Sequence, residues 1–400
     1  MFRRRVLILS TSAGTGHLRA AEALGKVFRH QPETDEVLTV DALKFTNKIF
    51  RDFYSSLYIQ LVEKAPAFLG WWYKMTDEPW KTDRMRLMLD RLNTGPLVEF
   101  IESYAPDITV CTHFLPAELI SHLISQAGLR TRLSIVVTDF HFHAMWLCRL
   151  FHRYFVATEE TRVHLSRLGL PEERITVSGI PIDPVFSQPL GRSEARRALG
   201  LAPDLPLLLV SAGALGVGPA EVVVESLRGL STPAQIVVIC GKNPPLHERL
   251  AQTRADRGSS PPLRVLGFTH EMHRWMAAAD LLIGKPGGLT ASESMARGLP
   301  MVVVAPIPGQ EELNSDYLLE QGAAIKCHEF TTLAYKVDSL LCDPSRLQAM
   351  RTAARNAARP NAAQIIVRRL LEDEAKEPEP VWISRKQKQQ IAQVAKGVKL

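Results

Sequence analysis

Ser10-Thr11-Ser12-Ala13-Gly14-Thr15-Gly16-His17 follows an apolar run and leads into the helical pattern Leu18-Arg19-Ala20-Ala21-Glu22. Gly14 and Gly16 let the backbone turn tightly and approach a ligand. The helix start behind them offers free N–H groups and partial positive charge to an anion or oxyanion. His17 stands where a ligand would meet this loop, and an imidazole there suits accepting a hydroxyl proton near neutral pH. A helix-capping or structural histidine is the alternative. Gly14-x-Gly16 also half-matches a dinucleotide fingerprint, with Asp41 ending the next strand, but Arg19 occupies the third glycine position.

A second glycine cluster, Gly284-Lys285-Pro286-Gly287-Gly288-Leu289-Thr290-Ala291-Ser292-Glu293, also follows a strand pattern and opens a helix. Three glycines at a helix start suit a pyrophosphate, although the Walker A spacing is absent. Glu293, one turn in, is positioned to accept both hydroxyls of a ribose diol. After the next strand come Pro306-Ile307-Pro308-Gly309-Gln310-Glu311-Glu312-Leu313-Asn314. Gln310, Glu311 and Asn314 carry the donors and acceptors that sugar hydroxyls need. His141-Phe142-His143 lacks a third metal partner at a typical spacing and no D-x-D triplet occurs, so no bound metal is expected.

The elements that must position these residues alternate along the chain. Apolar runs at 6–9, 37–40, 108–111, 133–137, 154–156 and 175–177 read as strands, and 18–30, 96–104, 116–127 and 159–168 as the helices between them. A second series has strands at 207–210, 236–239, 265–266, 281–283, 301–304 and 323–325. Such alternation predicts parallel sheets covered on both faces. Five prolines between 181 and 206 suggest a linker carrying a short helix at 193–199. The expected organisation is an N-terminal α/β domain over 1–182, a linker over 183–206, a C-terminal α/β domain over 207–355, and a helix with a basic tail over 356–400.

The chain has 400 residues, 46% hydrophobic and 22% charged, with a formal net charge of +6. That composition excludes disorder, collagen and a disulfide scaffold, and no apolar run approaches a membrane span. The five cysteines read as buried thiols in a reducing compartment. The basic excess fits an acidic partner: nucleic acid, nucleotide phosphate or anionic lipid. Residues 45–80 hold ten of the 28 aromatic residues. There Ile49, Phe50, Phe53, Leu57, Leu61 and Val62 recur at helical spacing, with Lys44, Lys48, Arg51 and Lys64 around them, before Trp71-Trp72-Tyr73-Lys74. This segment is either an amphipathic helix on the core or an interfacial one, with aromatics at headgroup level and basic residues meeting anionic lipid. Residues 381–400, with five Lys or Arg and no acid, read either as a frayed tail or as a contact with an anionic surface.

Taken in order, the three motifs resemble glycosyltransferase family 28, and most of all its monogalactosyldiacylglycerol synthase and processive diacylglycerol glucosyltransferase branch. Val137-Thr138-Asp139-Phe140-His141-Phe142-His143-Ala144-Met145-Trp146, Cys240-Gly241-Lys242-Asn243 and Leu266-Gly267-Phe268-Thr269 fit as well. The resemblance spans about residues 5–350. It implies a GT-B fold, two Rossmann-like domains facing across a cleft, with the acceptor on the N-terminal half and a UDP-sugar on the C-terminal half. Gly287, Gly288 and Thr290 would then hold the diphosphate, with Gly284 and Leu289 in the same loop, and Glu293 the ribose. Phe268 would lie near uracil, Gln310 and Glu311 would bind the sugar beside Gly309 and Asn314, Ser211 and Gly213 would close over the phosphates, and Lys242 would add charge. Gly14, Gly16, His113, His143 and Trp146 would form the acceptor side.

This chain departs from the pattern at Ser12, where plant-type members carry an aspartate, and at Thr15, where many relatives have glycine. The expected base is therefore His17, with Asp139 second. The implied activity is inverting transfer of a hexose from UDP-galactose or UDP-glucose to diacylglycerol or a related lipid. The UDP-sugar is a co-substrate, no separate cofactor is needed, and nucleic acid is not a partner. The expected location is cytoplasmic, peripheral on the inner face of the membrane. A polyprenyl-linked or small-molecule acceptor, a UDP-sugar 2-epimerase, and a nucleotide-sugar-binding regulator without turnover are the other readings.

Overall fold

The computed structural model describes residues 3–12, 14–45, 65–79, 95–126, 128–257, 262–372 and 379–398. The chain forms two compact units, one of residues 1–184 with 360–400 and the other of residues 185–359.

In the first unit β1 (Arg4–Ser10), β2 (Thr34–Asp41), β3 (Ile108–Cys111), β4 (Arg132–Val136), β6 (Arg153–Val156) and β7 (Ile175–Val177) form one sheet, ordered β2-β1-β3-β4-β6-β7. Every pairing in it is parallel. Successive side chains leave a strand on opposite faces. Val6 and Ile8 accordingly join Leu24, Phe28, Ile366 and Val367 on one side, while Leu7 and Leu9 join Ile101, Leu119 and Ile120 on the other. A strand buried on both faces has no polar alternate positions, which is why these strands read as unbroken apolar runs.

The second unit repeats the design. β8 (Leu207–Ser211), β9 (Gln235–Ile239), β10 (Leu263–Leu266), β11 (Leu281–Gly284), β12 (Met301–Val304) and β13 (Ala324–Cys327) are ordered β10-β9-β8-β11-β12-β13, again all parallel. Strand order reverses between β1 and β3 in one unit and between β8 and β11 in the other. In open α/β sheets the loops leaving the strand ends at that point diverge and leave room for a ligand.

Two boundaries differ from expectation. Residues 185–206 are part of the second unit, not a linker. Within them the helix Arg192–Leu199 is tied down by the buried carboxylate of Asp280, which takes Arg192 and Arg196 at 2.5 Å, Arg351 at 2.7 Å and the Leu207 amide at 2.8 Å. The prolines report an irregular path over the surface, not a mobile joint.

The C-terminal region likewise belongs to the first unit. Ile366, Val367 and Leu370 of the helix Ala362–Glu372 pack with Leu24 and Phe28. β14 (Val381–Trp382) pairs antiparallel with β5 (Leu150–Phe151). Ile383 and Ile391, the latter on the helix Arg385–Val398, are buried in the core cluster. The described part of the basic tail is therefore docked and not frayed. Of the five cysteines, four are buried and Cys342 is exposed.

Candidate active site

In the first unit the loop after β1 meets the loop after β3. Gly14, with φ of 113°, turns the chain into the helix Thr15–Phe28, so His17 lies in the first helical turn. Gly16, immediately before His17, lies in the same turn. The Asp41 carboxylate accepts from the amides of Ser12 and Leu43, each at 3.1 Å. It thereby braces the loop.

His17 Nδ1 lies 3.0 Å from the Thr112 carbonyl and 2.7 Å from Thr138 Oγ1, and Thr112 Oγ1 donates back to the His17 carbonyl at 3.0 Å. The His113 ring meets it edge-on at 4.7 Å, and the Trp146 ring is 6.3 Å away. Burial disfavours the charged imidazolium and lowers the His17 pKa from 6.5 to about 4, against a smaller opposing effect of the Thr112 carbonyl. His113 is lowered too, by burial first and by His17 second.

The other residues expected on the acceptor side are buried. Trp146 is 3% exposed and part of the core, where it walls the two imidazoles. His143 accepts from the Met145 amide through Nδ1 at 3.1 Å and bonds the Tyr73 carbonyl through Nε2 at 2.9 Å. Both ring nitrogens are thus engaged in holding structure. Asp139 is 6% exposed, and its charge acts on Tyr73, whose pKa burial pushes up.

Tyr73 belongs to the helix Pro66–Thr76, and Asp77 just beyond it accepts from the Ala144 amide at 3.0 Å. The same helix exposes Phe68, Trp71, Trp72 and Met75. The apolar set at 49–62 lies outside the described residues.

In the second unit the loops after β8 and β9 are packed backbone to backbone. The Lys242 amide donates to the Ala214 carbonyl and Asn243 Nδ2 to the Gly216 carbonyl, each at 2.8 Å. Gly216 has φ of 67°, and a Cβ there would lie 2.2 Å from the Cys240 carbonyl oxygen. At Gly241, φ 61°, a Cβ would lie 2.3 Å from the Gly213 carbonyl oxygen. Gly284 is likewise a packing glycine, its Cβ position 2.8 Å from the Ser211 carbonyl oxygen. Lys242 and Phe268 come together, with Nζ 5.1 Å from the ring centroid, and Phe268 leaves 46% of its surface open.

The helix Gly288–Ala296 follows β11. Its N-cap Gly287 makes no side-chain cap and its first turn, which includes Leu289 and Thr290, holds no acid. The free N–H groups that every helix start carries are therefore not taken by a side chain here. A Cβ on Gly287 would have only Glu311 Oε1 nearby, at 3.7 Å. Glu311 accepts from the Ile307 amide at 2.7 Å, and Glu312 from the Gly309 amide at 3.0 Å. Burial raises the Glu311 pKa and the Lys285 charge opposes that rise. Glu311 thus shapes the loop and also stands near the start of the helix Gly288–Ala296. Gln310 opens the helix Gln310–Glu320, while Glu293 is 1% and Asn314 0% exposed.

Lys285 received no role from the sequence, although it stands in the glycine motif. It lines a small cavity with Ser211, Gly218 and Gly284 at the β8/β11 switch point. A cation two residues ahead of the N-cap glycine of that helix was the available signal. Ala305, with φ of 42°, precedes the Pro306–Gly309 turn and has no counterpart in the sequence pattern. Among the described residues no group of three or more His, Cys, Asp or Glu is placed to hold a metal ion.

Comparison with known proteins fits this geometry. MurG of Acinetobacter baumannii superposes with a TM-score of 0.61 at 19% identity, over 92% of this chain and 99% of that one. A structure of Anabaena HepE in complex with UDP-glucose gives 0.53 at 15%, over 93% and 99%. These likenesses establish the GT-B glycosyltransferase fold and nothing narrower.

Residues 17–182 match the monogalactosyldiacylglycerol synthase family and 191–357 the glycosyl transferases group 1 family. The processive diacylglycerol beta-glucosyltransferase of Bacillus mycoides is 30% identical over 384 residues, 95% of this chain and 96% of the relative. That of Bacillus subtilis is 29% identical over 392 residues, 96% and 98%. The chain belongs to the monogalactosyldiacylglycerol synthase and processive diacylglycerol glucosyltransferase branch of glycosyltransferase family 28.

Proposed function

We propose that this protein transfers a hexose from a UDP-sugar to diacylglycerol, with inversion at the anomeric carbon, on an anionic membrane surface. The observation that carries the reading is the unacidic, side-chain-free helix start at Gly287–Gly288, with Lys285 beside it, in a chain of this family. Uncapped N–H groups and a nearby ammonium stabilise the charge that grows on UDP as it leaves. The acceptor hydroxyl attacks the anomeric carbon while the bond to the diphosphate breaks with its electron pair. The hydroxyl proton passes to His17, or to Asp139 if His17 is dispensable. Glucose is the favoured sugar, because the relatives covering the whole chain are named glucosyltransferases. UDP-galactose remains the alternative donor.

Membrane engagement is assigned to the helix Pro66–Thr76. Phe68, Trp71, Trp72 and Met75 are open to solvent beside Lys74, which suits burial in the headgroup region with a basic neighbour. Its far end is bonded to His143 and Ala144, so the lipid-contacting surface and the acceptor side are mechanically one piece. The same proposal places this contact on the inner face of the membrane. No helix among the described residues is long and apolar enough to cross a membrane.

The test is the stereochemistry of the product formed from an α-linked UDP-hexose. A β-glycosidic lipid supports direct displacement, and an α-linked product refutes it. A regulator without turnover would bind UDP-sugar and release no UDP when lipid is added.

A further inference from the structure

We propose that Thr138 is a positioning residue for His17: its hydroxyl, with the Thr112 carbonyl, holds Nδ1 as the protonated ring nitrogen and leaves Nε2 as the base. This rests on the reading of His17 as the group that takes the acceptor proton.

The hydrogen-bond inventory decides the tautomer. A carbonyl oxygen only accepts, so the 3.0 Å contact between Nδ1 and the Thr112 carbonyl is attractive only when Nδ1 carries the proton. Thr138 Oγ1, 2.7 Å from the same nitrogen, then lies as a second acceptor for that N–H. Thr112 Oγ1 in turn donates to the His17 carbonyl at 3.0 Å, which ties the base of the side chain to the same residue that holds its ring.

The partners are themselves fixed. Thr138 sits two residues past β4, on a segment pinned by the Val137 amide to the Phe155 carbonyl at 2.9 Å. His113, edge-on to His17, accepts from the Leu115 amide at 3.1 Å. That bond sets its Nδ1 as an acceptor and holds its ring still.

Both oxygens facing His17 Nδ1 are neutral. They leave the resting ring uncharged, and they gain strength only as the ring takes the acceptor's proton, because bonds to a charged donor are stronger than neutral ones. The stabilisation is thus concentrated in the transition state, where it raises rate without tightening substrate binding. In that step the acceptor O–H bond breaks, its proton moves to Nε2, and the oxygen's electron pair forms the glycosidic bond as the bond to UDP breaks.

The test compares wild type with Thr138→Val and Thr138→Ser in the full chain, using UDP-glucose and vesicles containing diacylglycerol. Thr138→Val is expected to lose about ten- to a hundred-fold in kcat, the scale of one hydrogen bond to a charging group, with both KM values held. Thr138→Ser is expected to regain most of it. A normal kcat in Thr138→Val, or a loss that Thr138→Ser does not repair, overturns the role of the hydroxyl. Should Thr138→Val fail to fold, Thr138→Ala against Thr138→Ser isolates the same oxygen, and equal rates overturn the proposal. If wild type itself shows no lipid-dependent turnover, the functional reading fails instead. The ring nitrogen resonances of His17, assigned with His17→Gln, still decide the geometry: protonated Nδ1 is expected, and protonated Nε2 overturns it.

Discussion

At the residue scale the central group is a histidine that stays neutral. Burial lowers the His17 pKa to about 4, so a base-competent ring persists well below the ordinary histidine range. If His17 is the base, the acid limb of kcat/KM should lie near 4 and not near 6.5; a limb near 6.5 would assign the titration to another group. His17→Ala should retain UDP-sugar binding and lose about 10²–10⁴-fold in kcat. A near-normal rate passes the role to Asp139.

The same shift bears on stability. The folded value is depressed, so between about 6.5 and about 4 the unfolded chain binds a proton that the folded chain does not. Stability therefore falls as pH drops through that window, and His113, lowered for the same reason, adds to the fall. Urea midpoints at pH 7 and 4.5 measure it; a smaller decline in His17→Ala is expected. At Lys285, replacement by Met should slow turnover of bound donor more than it weakens UDP-sugar binding, because the charge it faces grows as UDP leaves. Unchanged turnover would remove Lys285 from the diphosphate site.

At the element scale the glycines fall into two kinds. Gly216 and Gly241 are demanded by backbone packing and by φ near 60–70°, so Gly216→Ala should abolish UDP-sugar binding by collapsing the loop pair. Intact binding would show that the loop tolerates a side chain. Gly287 is not demanded by its neighbours, since a Cβ there would have only Glu311 Oε1 nearby.

The central strands were readable because they are buried on both faces, as β1, β3, β4, β9, β11 and β12 are over most of their length. The first helix was not placed correctly: it begins at Thr15, not Leu18, because a Gly-Thr-Gly stretch reads as loop while an uncapped helix start tolerates it. The threonines around His17 were equally invisible, since Thr112 and Thr138 converge on Nδ1 only through the sheet. Trp146 and His143 show what residue type alone does not reveal: one is packed in the core and the other has both ring nitrogens bonded to backbone. For the helix Pro66–Thr76, Trp71→Ser with Trp72→Ser should weaken sedimentation with anionic vesicles while UDP-sugar binding holds. Equal sedimentation would remove this helix from the membrane contact.

At the scale of the whole molecule, sequence order misleads where the chain returns. The sequence suggests a helix within 356–400 but not that it packs on residues 15–28, because that pairing depends on tertiary packing. The proline-rich stretch before β8 looked like a joint for a similar reason: the acid that anchors it, Asp280, lies more than 70 residues on. Asp280→Asn should destabilise the second unit by about 3–5 kcal/mol, the scale for stripping one partner from a buried ion cluster. An unchanged melting profile would mean that the arginines are held by their other bonds.

The central claim is lipid-dependent transfer from a UDP-sugar. Its most direct test is UDP release from UDP-glucose and UDP-galactose, with and without diacylglycerol in anionic vesicles, with the lipid product weighed by mass spectrometry. The expected result is UDP release that requires diacylglycerol, is faster with UDP-glucose, and yields a lipid heavier by one or more hexoses. Donor binding with no diacylglycerol-dependent release from either sugar would contradict it.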